Sequence, residues 1–177
     1  MSIAGVLLAL AIPNLREFIV RNKMAALANE FSAGVSQTRT EAVTRNSCVS
    51  MCQSVNTQNA ISGGTLSCTT TGLDWLRGWI IFVNPTCSAT LNTPVAANGE
   101  VVLRVVQPAG DGYEIINVGG TNRKIMFDGR GLPNSGMANM TLTGNDDSVT
   151  QANRRQICIS AAGRVTIRKL EGGDCTN

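Results

Sequence analysis

The sequence predicts an α+β protein in which a long N-terminal α-helix, kinked at Pro13, packs on a disulfide-containing domain built as an antiparallel β-sheet or β-sandwich. Three observations predict this fold. Apolar residues recur at the helical period over the first 45 residues, the rest of the chain changes to the period of two typical of strands, and six cysteines lie in that second part. We therefore divide the chain into an N-terminal helix, 1–45, and a β-rich globular domain, 46–177.

The helix begins with ten apolar residues, Ile3 to Ile12. This run is too short for a membrane-spanning helix, which needs about twenty residues. It also lacks the basic n-region and A-x-A site of a secretory signal. The helical pattern continues through Pro13, so we expect a membrane or filament segment over 2–13 with a kink at the proline. Its contact residues are predicted to be Leu7, Leu8, Leu10, Ile12 and Pro13.

Residues 14–45 are amphipathic, with most charged residues away from one apolar face. That predicted buried face consists of Met24, Leu27, Ala28, Phe31, Val35, Thr38 and Ala42. At 1.5 Å per residue the whole helix is about 65 Å long. Because one end is wholly apolar and the rest is amphipathic, the two parts need different surroundings. We expect its upper half to pack on its own domain and its lower half to contact lipid or neighbouring helices. The alternative is a buried core helix preceded by an ordinary N-terminal tail.

Eight short segments after the helix carry strand-like patterns separated by Gly, Pro, Asn and Asp. They are Ser47–Gln53, Gly78–Val83, Glu100–Val106, Tyr113–Val118, Lys124–Phe127, Ala138–Thr143, Arg155–Ser160 and Arg164–Leu170. The last two predict a hairpin with Gly163 as the left-handed residue of its turn. Alternation in the final strand directs Val165 and Ile167 to the core and both Arg164 and Arg168 to solvent.

Composition excludes several classes of function. There is no histidine, which excludes His-based acid–base catalysis, Ser-His-Asp or Cys-His dyads and histidine metal sites. An aromatic content of 4% argues against a base-stacking single-strand binder, and a net charge of +3 does not by itself imply a nucleic-acid partner. No nucleophile–base pair is visible. We therefore expect a non-enzymatic protein without a metal or other cofactor.

An ordered set of motifs resembles the GspH/FimT family of type IV minor pilins and type II secretion pseudopilins, over almost the whole chain. The motifs are Ala11 to Asn14 (AIPN), Thr38 to Ala42 (TRTEA), Val49 to Cys52, Gly78 to Phe82 (GWIIF), Val102 to Arg104, Phe127 to Gly131 (FDGRG) and Gly163-Arg164. The resemblance implies a pilin-like fold and a structural subunit that joins, primes or caps a type IV pilus or a type II secretion pseudopilus.

The same resemblance implies partners and a location. The partners are other major or minor pilins or pseudopilins, bound through the N-terminal helix, and the bacterial inner membrane before assembly. The protein is then expected to be single-pass with a periplasmic domain, and later part of an extracellular pilus or a periplasmic pseudopilus. Family members begin with a basic leader, a prepilin peptidase site and Phe-Thr-Leu-Ile-Glu. None of these is present here, so Met1 falls inside the family's apolar segment.

The even number of cysteines favours disulfides and an oxidising compartment. Six cysteines permit fifteen pairings. Cys52 and Cys68 flank a polar loop where the family often has a pair, and Cys158–Cys175 would close the C-terminal hairpin and tail. Cys48–Cys87 remains, and would join the first two strands if these pair antiparallel. The alternatives are reduced core cysteines or a zinc site, although the spacing lacks the two C-x₂-C knuckles typical of zinc.

Basic residues are concentrated near the C-terminus. They are Arg154, Arg155, Arg164, Arg168 and Lys169. Arg164 and Arg168 would lie about 13 Å apart on one strand face, which suits contact with two or more phosphates of double-stranded DNA. Some FimT-type members are DNA-uptake receptors that use a C-terminal Gly-Arg motif, and Gly163-Arg164 matches it, with Arg168 displaced along the strand from the second family arginine. The alternative is a solvated strand whose charges block edge pairing or contact Glu171 or Asp174.

Overall fold

A computed structural model describes the backbone of residues 2–118, 123–134, 138–144, 153–170 and 175, with side chains described from residue 15 onward. Helix α1 spans Ser2–Arg45, the predicted range, and is assigned without a break through Pro13. The side chains of Leu7, Leu8, Leu10, Ile12 and Pro13 lie outside the described part. Their contacts and the kink therefore stay predictions. Within the described residues no helix is both long and apolar enough to cross a membrane.

All eight predicted strands are confirmed, with ends that shift by at most two residues. They are β1 Val49–Gln53, β2 Trp79–Val83, β3 Val102–Val106, β4 Tyr113–Asn117, β5 Lys124–Phe127, β6 Ala138–Gly144, β7 Arg155–Ile159 and β8 Val165–Lys169. They form two antiparallel sheets. The first sheet has the order β3-β2-β1-β5 and the second sheet β4-β6-β7-β8. A short helix, α2, spans Asn59–Ser62 in the loop after β1.

One hydrophobic core joins α1 to the inner faces of both sheets. The seven helix residues predicted to be buried are all buried, and Val20 extends their face by one turn. They pack with Met51 and Ile81 of the first sheet and with Met140 and Ile157 of the second. The helix therefore serves both sheets at once, and the domain depends on its amphipathic half for a core.

Close contact between α1 and the first sheet depends on a helix glycine. An added Cβ at Gly34 would lie 2.5 Å from the Trp79 ring. Beside it, the Arg104 guanidinium lies 5.2 Å from the centre of that ring and donates a 3.0 Å hydrogen bond to Gln37 of the helix. The small residue lets the helix backbone approach the tryptophan, and the Arg104 guanidinium adds a cation–π contact to the same ring.

The outer face of the first sheet has a small core of its own. Ile80, Phe82, Cys52 and Cys68 are buried there, under loop residues that include Leu66 and Leu91. Lys124 ties this cover to the sheet, because its ammonium group donates hydrogen bonds to the Ala89 carbonyl oxygen (2.9 Å), the Leu91 carbonyl oxygen and Asn92 Oδ1 (3.0 Å). Burial lowers the pKa of the Lys124 ammonium.

The structure pairs all six cysteines in the combinations favoured by the sequence. The disulfides are Cys48–Cys87, Cys52–Cys68 and Cys158–Cys175, with Cα atoms 5.2, 5.6 and 5.5 Å apart. The first two disulfides fasten the loop residues Cys87 and Cys68 to Cys48, next to β1, and to Cys52 in β1. The third fastens the C-terminal tail to β7. These thiols are therefore not available as metal ligands in the oxidised protein.

Candidate functional site

The C-terminal hairpin, β7 with β8, presents two arginines on the outer face of the second sheet. Val165 and Ile167 pack against the main core, as their alternation predicts. Arg164 and Arg168 are exposed on the opposite face, with Thr166 between them. They line a shallow depression of about 320 Å³ that also includes Ser160. Two guanidinium groups with hydroxyls between them form a surface that favours anionic groups.

The other three basic candidates do not join this pair. Arg155 and Lys169 lie opposite each other in the strand register, in phase with the core-facing Ile157 and Ile167. Their side chains therefore start from the other face of the sheet. Arg154 is half-buried, and its Nε has no hydrogen-bond partner among the described residues. The structure thus separates one outward pair from three basic residues placed elsewhere.

The turn of the β7–β8 hairpin meets α1 and the segment after β5. This three-way contact, called the junction below, was not predicted from the sequence. Gly163 has φ of +74°, and an added Cβ there would lie 2.6 Å from the Gly131 carbonyl oxygen. The same carbonyl oxygen accepts a 3.0 Å hydrogen bond from Arg39 Nε. Arg39 belongs to α1, and Gly131 follows β5 of the first sheet. Because these elements meet at Gly163, the junction positions Arg164 relative to the helix and both sheets.

Asp128 shapes the other half of this junction, the turn from Asp128 to Gly131. Its Oδ1 accepts backbone hydrogen bonds from Leu132 (3.0 Å) and Arg130 (2.9 Å), and its Oδ2 accepts from the Arg130 side chain (2.9 Å). These bonds, chiefly the one from Leu132, lower the pKa of the Asp128 carboxyl. Arg39 lies within a quoted motif, but its role was not recognisable from sequence, because its partner Gly131 is distant along the chain.

A second candidate region is the part of α1 that precedes its buried face. Leu15, Phe18 and Ile19 are 57–61% exposed, whereas Val20 is buried, the first to be so among the described side chains of α1. Their side chains follow directly on the apolar segment 2–13. On the same part of the helix, Glu17 and Arg21 form an exposed ion pair with each other, at a distance of 2.8 Å. Three large apolar side chains at spacings of three and four thus form an apolar surface that the described part of the domain leaves exposed.

Comparison with known proteins agrees with the resemblance seen in the sequence. The family model described as type II transport protein GspH matches residues 27–163. A search of curated proteins finds no significant match. Two solved structures with a similar fold are crystal forms of the Pseudomonas aeruginosa type IV minor pilin FimU. In space group P21 the match has a TM-score of 0.59 and 18% identity, covering 85% of this chain and 92% of FimU.

The match to FimU in space group P65 has a TM-score of 0.55 and 17% identity, and covers 81% of this chain and 91% of that one. Identities this low establish a common fold and no more. The family match spans well over half of the chain and includes the buried face of α1 from Leu27 onward, the first seven strands and Gly163. The chain therefore belongs to the GspH family of type II transport proteins, and its fold is that of a minor pilin.

Proposed function

We propose that this protein is a non-enzymatic filament subunit, which helps to assemble, prime or cap a type IV pilus or a type II secretion pseudopilus. The observation that carries the proposal is the division of α1 into two parts. The face from Val20 to Ala42 is buried in the protein's own domain, whereas Leu15, Phe18 and Ile19 are left exposed below it. Neighbouring helices in a filament, or lipid before assembly, would cover that apolar surface.

The test places a charge on this exposed part of the helix, at Phe18, and on the apolar segment predicted before it, at Leu8. Leu8→Glu and Phe18→Glu should abolish incorporation into purified filaments, because a carboxylate would have to be buried between apolar helices. Ala97→Glu, in an exposed 3-10 turn far along the chain from α1, is the matched control and should be incorporated normally. Circular dichroism of each variant checks the fold, which Phe18→Glu should leave intact since Phe18 is 61% exposed. Normal filament levels of both helix variants would refute the proposal.

A second proposed function is capture of double-stranded DNA by Arg164 and Arg168. Two features support it: both arginines are exposed on one face, and Thr166 and Ser160 line the depression between them. About 13 Å separates positions four apart on a strand, so the pair spans more than one phosphate of a DNA backbone. Arg154, Arg155 and Lys169 fall outside this surface and are expected to contribute less.

Salt-dependent DNA binding by the protein in detergent tests this second function. Each phosphate contact should add about −0.9 to the slope of log affinity against log salt. Arg164→Gln/Arg168→Gln should weaken binding and make the slope shallower by about two contacts. Arg16→Gln/Arg77→Gln removes the same charge from other exposed positions and should leave the slope unchanged. Equal effects in both double variants would show that net charge, rather than this surface, attracts the DNA.

A further inference from the structure

The Cys48–Cys87 disulfide joins a buried residue to an exposed one. Cys48 directly precedes β1 and is 1% exposed, whereas Cys87 lies in the loop from β2 to β3 and is exposed to solvent. A thiol in solution can therefore approach this bond from the side of Cys87 while the protein stays folded. Thiol–disulfide exchange begins with the attack of a thiolate on one sulfur atom, so its rate depends on such access.

The other two disulfides are more enclosed. Cys52 and Cys68 are both buried, at 0% and 7% exposure, and belong to the second small core. Cys158 is 6% exposed, and its partner Cys175 is half-buried. None of these four residues is as exposed as Cys87. Because exposed disulfides exchange more readily than enclosed ones, access to solvent sets the Cys87 bond apart from the other two.

The turn that carries Cys87 is held by a buried asparagine. Cys87 has φ of +51°, in the left-handed region that a residue with a side chain rarely adopts. Its N–H donates to the Asn84 carbonyl oxygen (2.9 Å). The Asn84 side chain binds the next residue, Ser88, by accepting from its N–H (3.1 Å) and donating to its carbonyl oxygen (2.8 Å). These hydrogen bonds do not involve the sulfur atoms, so the turn has a support that reduction leaves in place.

Asn84 also attaches this turn to the strand beside it. Its backbone N–H donates to the Cys48 carbonyl oxygen (2.8 Å), and its side-chain amide donates to Ser50 Oγ in β1 (3.1 Å). The asparagine itself is fully buried. Cys48 and Cys87 therefore belong to one hydrogen-bonded unit. With the disulfide open, the two thiols would stay close enough to form it again.

The rest of the loop has attachments of its own. The Lys124 ammonium group donates to the Ala89 carbonyl oxygen and to Asn92 Oδ1. The Cys68 N–H donates to the Asn92 carbonyl oxygen (2.7 Å). These contacts hold the loop over the second small core. Opening the disulfide at Cys87 would therefore leave the outer face of the first sheet covered.

We propose that Cys48–Cys87 is a thiol-exchange site of the folded protein, which a dithiol opens while the other two disulfides stay closed. A thiolate of the dithiol attacks Cys87 Sγ, and Cys48 leaves as a thiolate that takes up a proton. The second thiol of the dithiol then attacks its own sulfur in the mixed disulfide and releases Cys87 as a thiol. The dithiol becomes a disulfide, so two electrons and two protons pass to the protein. The opened form presents one exposed thiol, Cys87, on a turn that stays in place.

Timed reduction of the oxidised full-length protein in detergent tests the order of opening. The reductant is dithiothreitol, and samples are quenched in acid, alkylated in urea and analysed by peptide mapping. We expect Cys48 and Cys87 to be alkylated at least about tenfold faster than the other four cysteines. Circular dichroism of this partly reduced protein should match that of the oxidised protein. Addition of oxidised glutathione after removal of the dithiothreitol should restore the Cys48–Cys87 bond.

Amide hydrogen exchange of the partly reduced protein tests the support from Asn84. The N–H groups of Cys87 and Ser88 should keep their protection to within about threefold, because both donate to Asn84. Loss of that protection would show that the disulfide itself holds the turn, and would overturn the inference.

Two double variants serve as controls for the order of opening. Cys48→Ala/Cys87→Ala should remove the fast phase and leave the slow rates unchanged. Cys158→Ala/Cys175→Ala should keep the fast phase. Earlier opening of either other disulfide, opening of all three together, or loss of the folded signal as Cys48 is alkylated overturns the inference. So does failure of oxidised glutathione to restore the bond.

Discussion

The two sheets have the same number of strands and the same antiparallel pairing, but their outer faces differ. The outer face of the first sheet is covered by loops, two disulfides and a second small core around Phe82. The outer face of the second sheet carries the exposed Arg164 and Arg168, and one disulfide crosses it. The first sheet is therefore covered on its outer face around β1 and β2, whereas the second sheet leaves Arg164 and Arg168 exposed at its β8 edge.

The largest expected effect on stability comes from removing a large buried side chain from the covered outer face of the first sheet. Phe82→Ala should lower the free energy of unfolding by about 3–5 kcal/mol, because Phe82 is fully buried and its removal leaves a cavity. Thr166→Ala, on the open face of the second sheet, should change it by no more than about 0.5 kcal/mol. Urea denaturation of the oxidised proteins measures both. Similar losses would mean that the second sheet is covered as fully as the first.

Removing one disulfide from the outer face of each sheet tests how differently the two faces are covered. Cys52 and Cys68 are 16 residues apart and Cys158 and Cys175 are 17 apart, so loop closure alone predicts nearly equal losses of about 3 kcal/mol. Replacing the first pair by alanine should cost more than replacing the second, because both of its sulfur atoms belong to the second core. Thermal and urea unfolding of the two double variants decide this. A larger loss for Cys158→Ala/Cys175→Ala would contradict the description of the open face.

The junction between the sheets should respond to a single methyl group. Gly163→Ala forces a non-glycine residue to keep φ of +74° and places its Cβ 2.6 Å from the Gly131 carbonyl oxygen. We expect a loss of roughly 1–3 kcal/mol. Gly110→Ala also has positive φ, but nothing lies within 4 Å of the added atom, so it isolates the conformational cost. Equal losses in the two variants would show that the close contact at Gly163 has no energetic weight.

The smallest effect is a pH dependence at the same junction. The pKa of Asp128 is lowered in the folded protein by hydrogen bonds from Leu132 and Arg130. Its stabilisation is therefore present above the unfolded value, near 3.8, and is lost as pH falls through the lower folded value. Asp128→Asn should make the stability curve flatter between about pH 5 and pH 2. Unfolding midpoints across that range test it, and an unchanged slope would contradict the assignment.

The sequence predicted the helix, its buried face and all eight strands, because each depends on a local pattern. The unbroken apolar run from Trp79 to Val83 lies in the first sheet, and all five residues are buried. The alternating Val165–Lys169 lies at the edge of the second sheet. The two strands therefore already differ in sequence, because Trp79–Val83 is apolar throughout and Val165–Lys169 alternates apolar with polar residues.

Contacts between distant segments could not be predicted in this way. The division of the strands into two sheets that share one helix depends on long-range pairing, which has no local signal. The Arg39–Gly131–Gly163 junction joins three separate elements, so its residues looked like ordinary turn and helix positions. The five basic residues near the C-terminus looked like one cluster, but strand alternation and the burial of Arg154 leave only Arg164 and Arg168 together.

The position of two cysteines beside β1 has a consequence for biogenesis. Cys48 and Cys52 are close in sequence, yet their partners are Cys87 and Cys68. A chain exported N-terminus first presents Cys68 to both before Cys87 emerges. Loops of 16 and 20 residues differ in closure cost by only about 0.1–0.2 kcal/mol, so chain length does not select the correct partner. Alignment of β1 with β2 favours the Cys48–Cys87 pair, and a Cys48–Cys68 bond formed earlier would have to be exchanged before both native pairs can form.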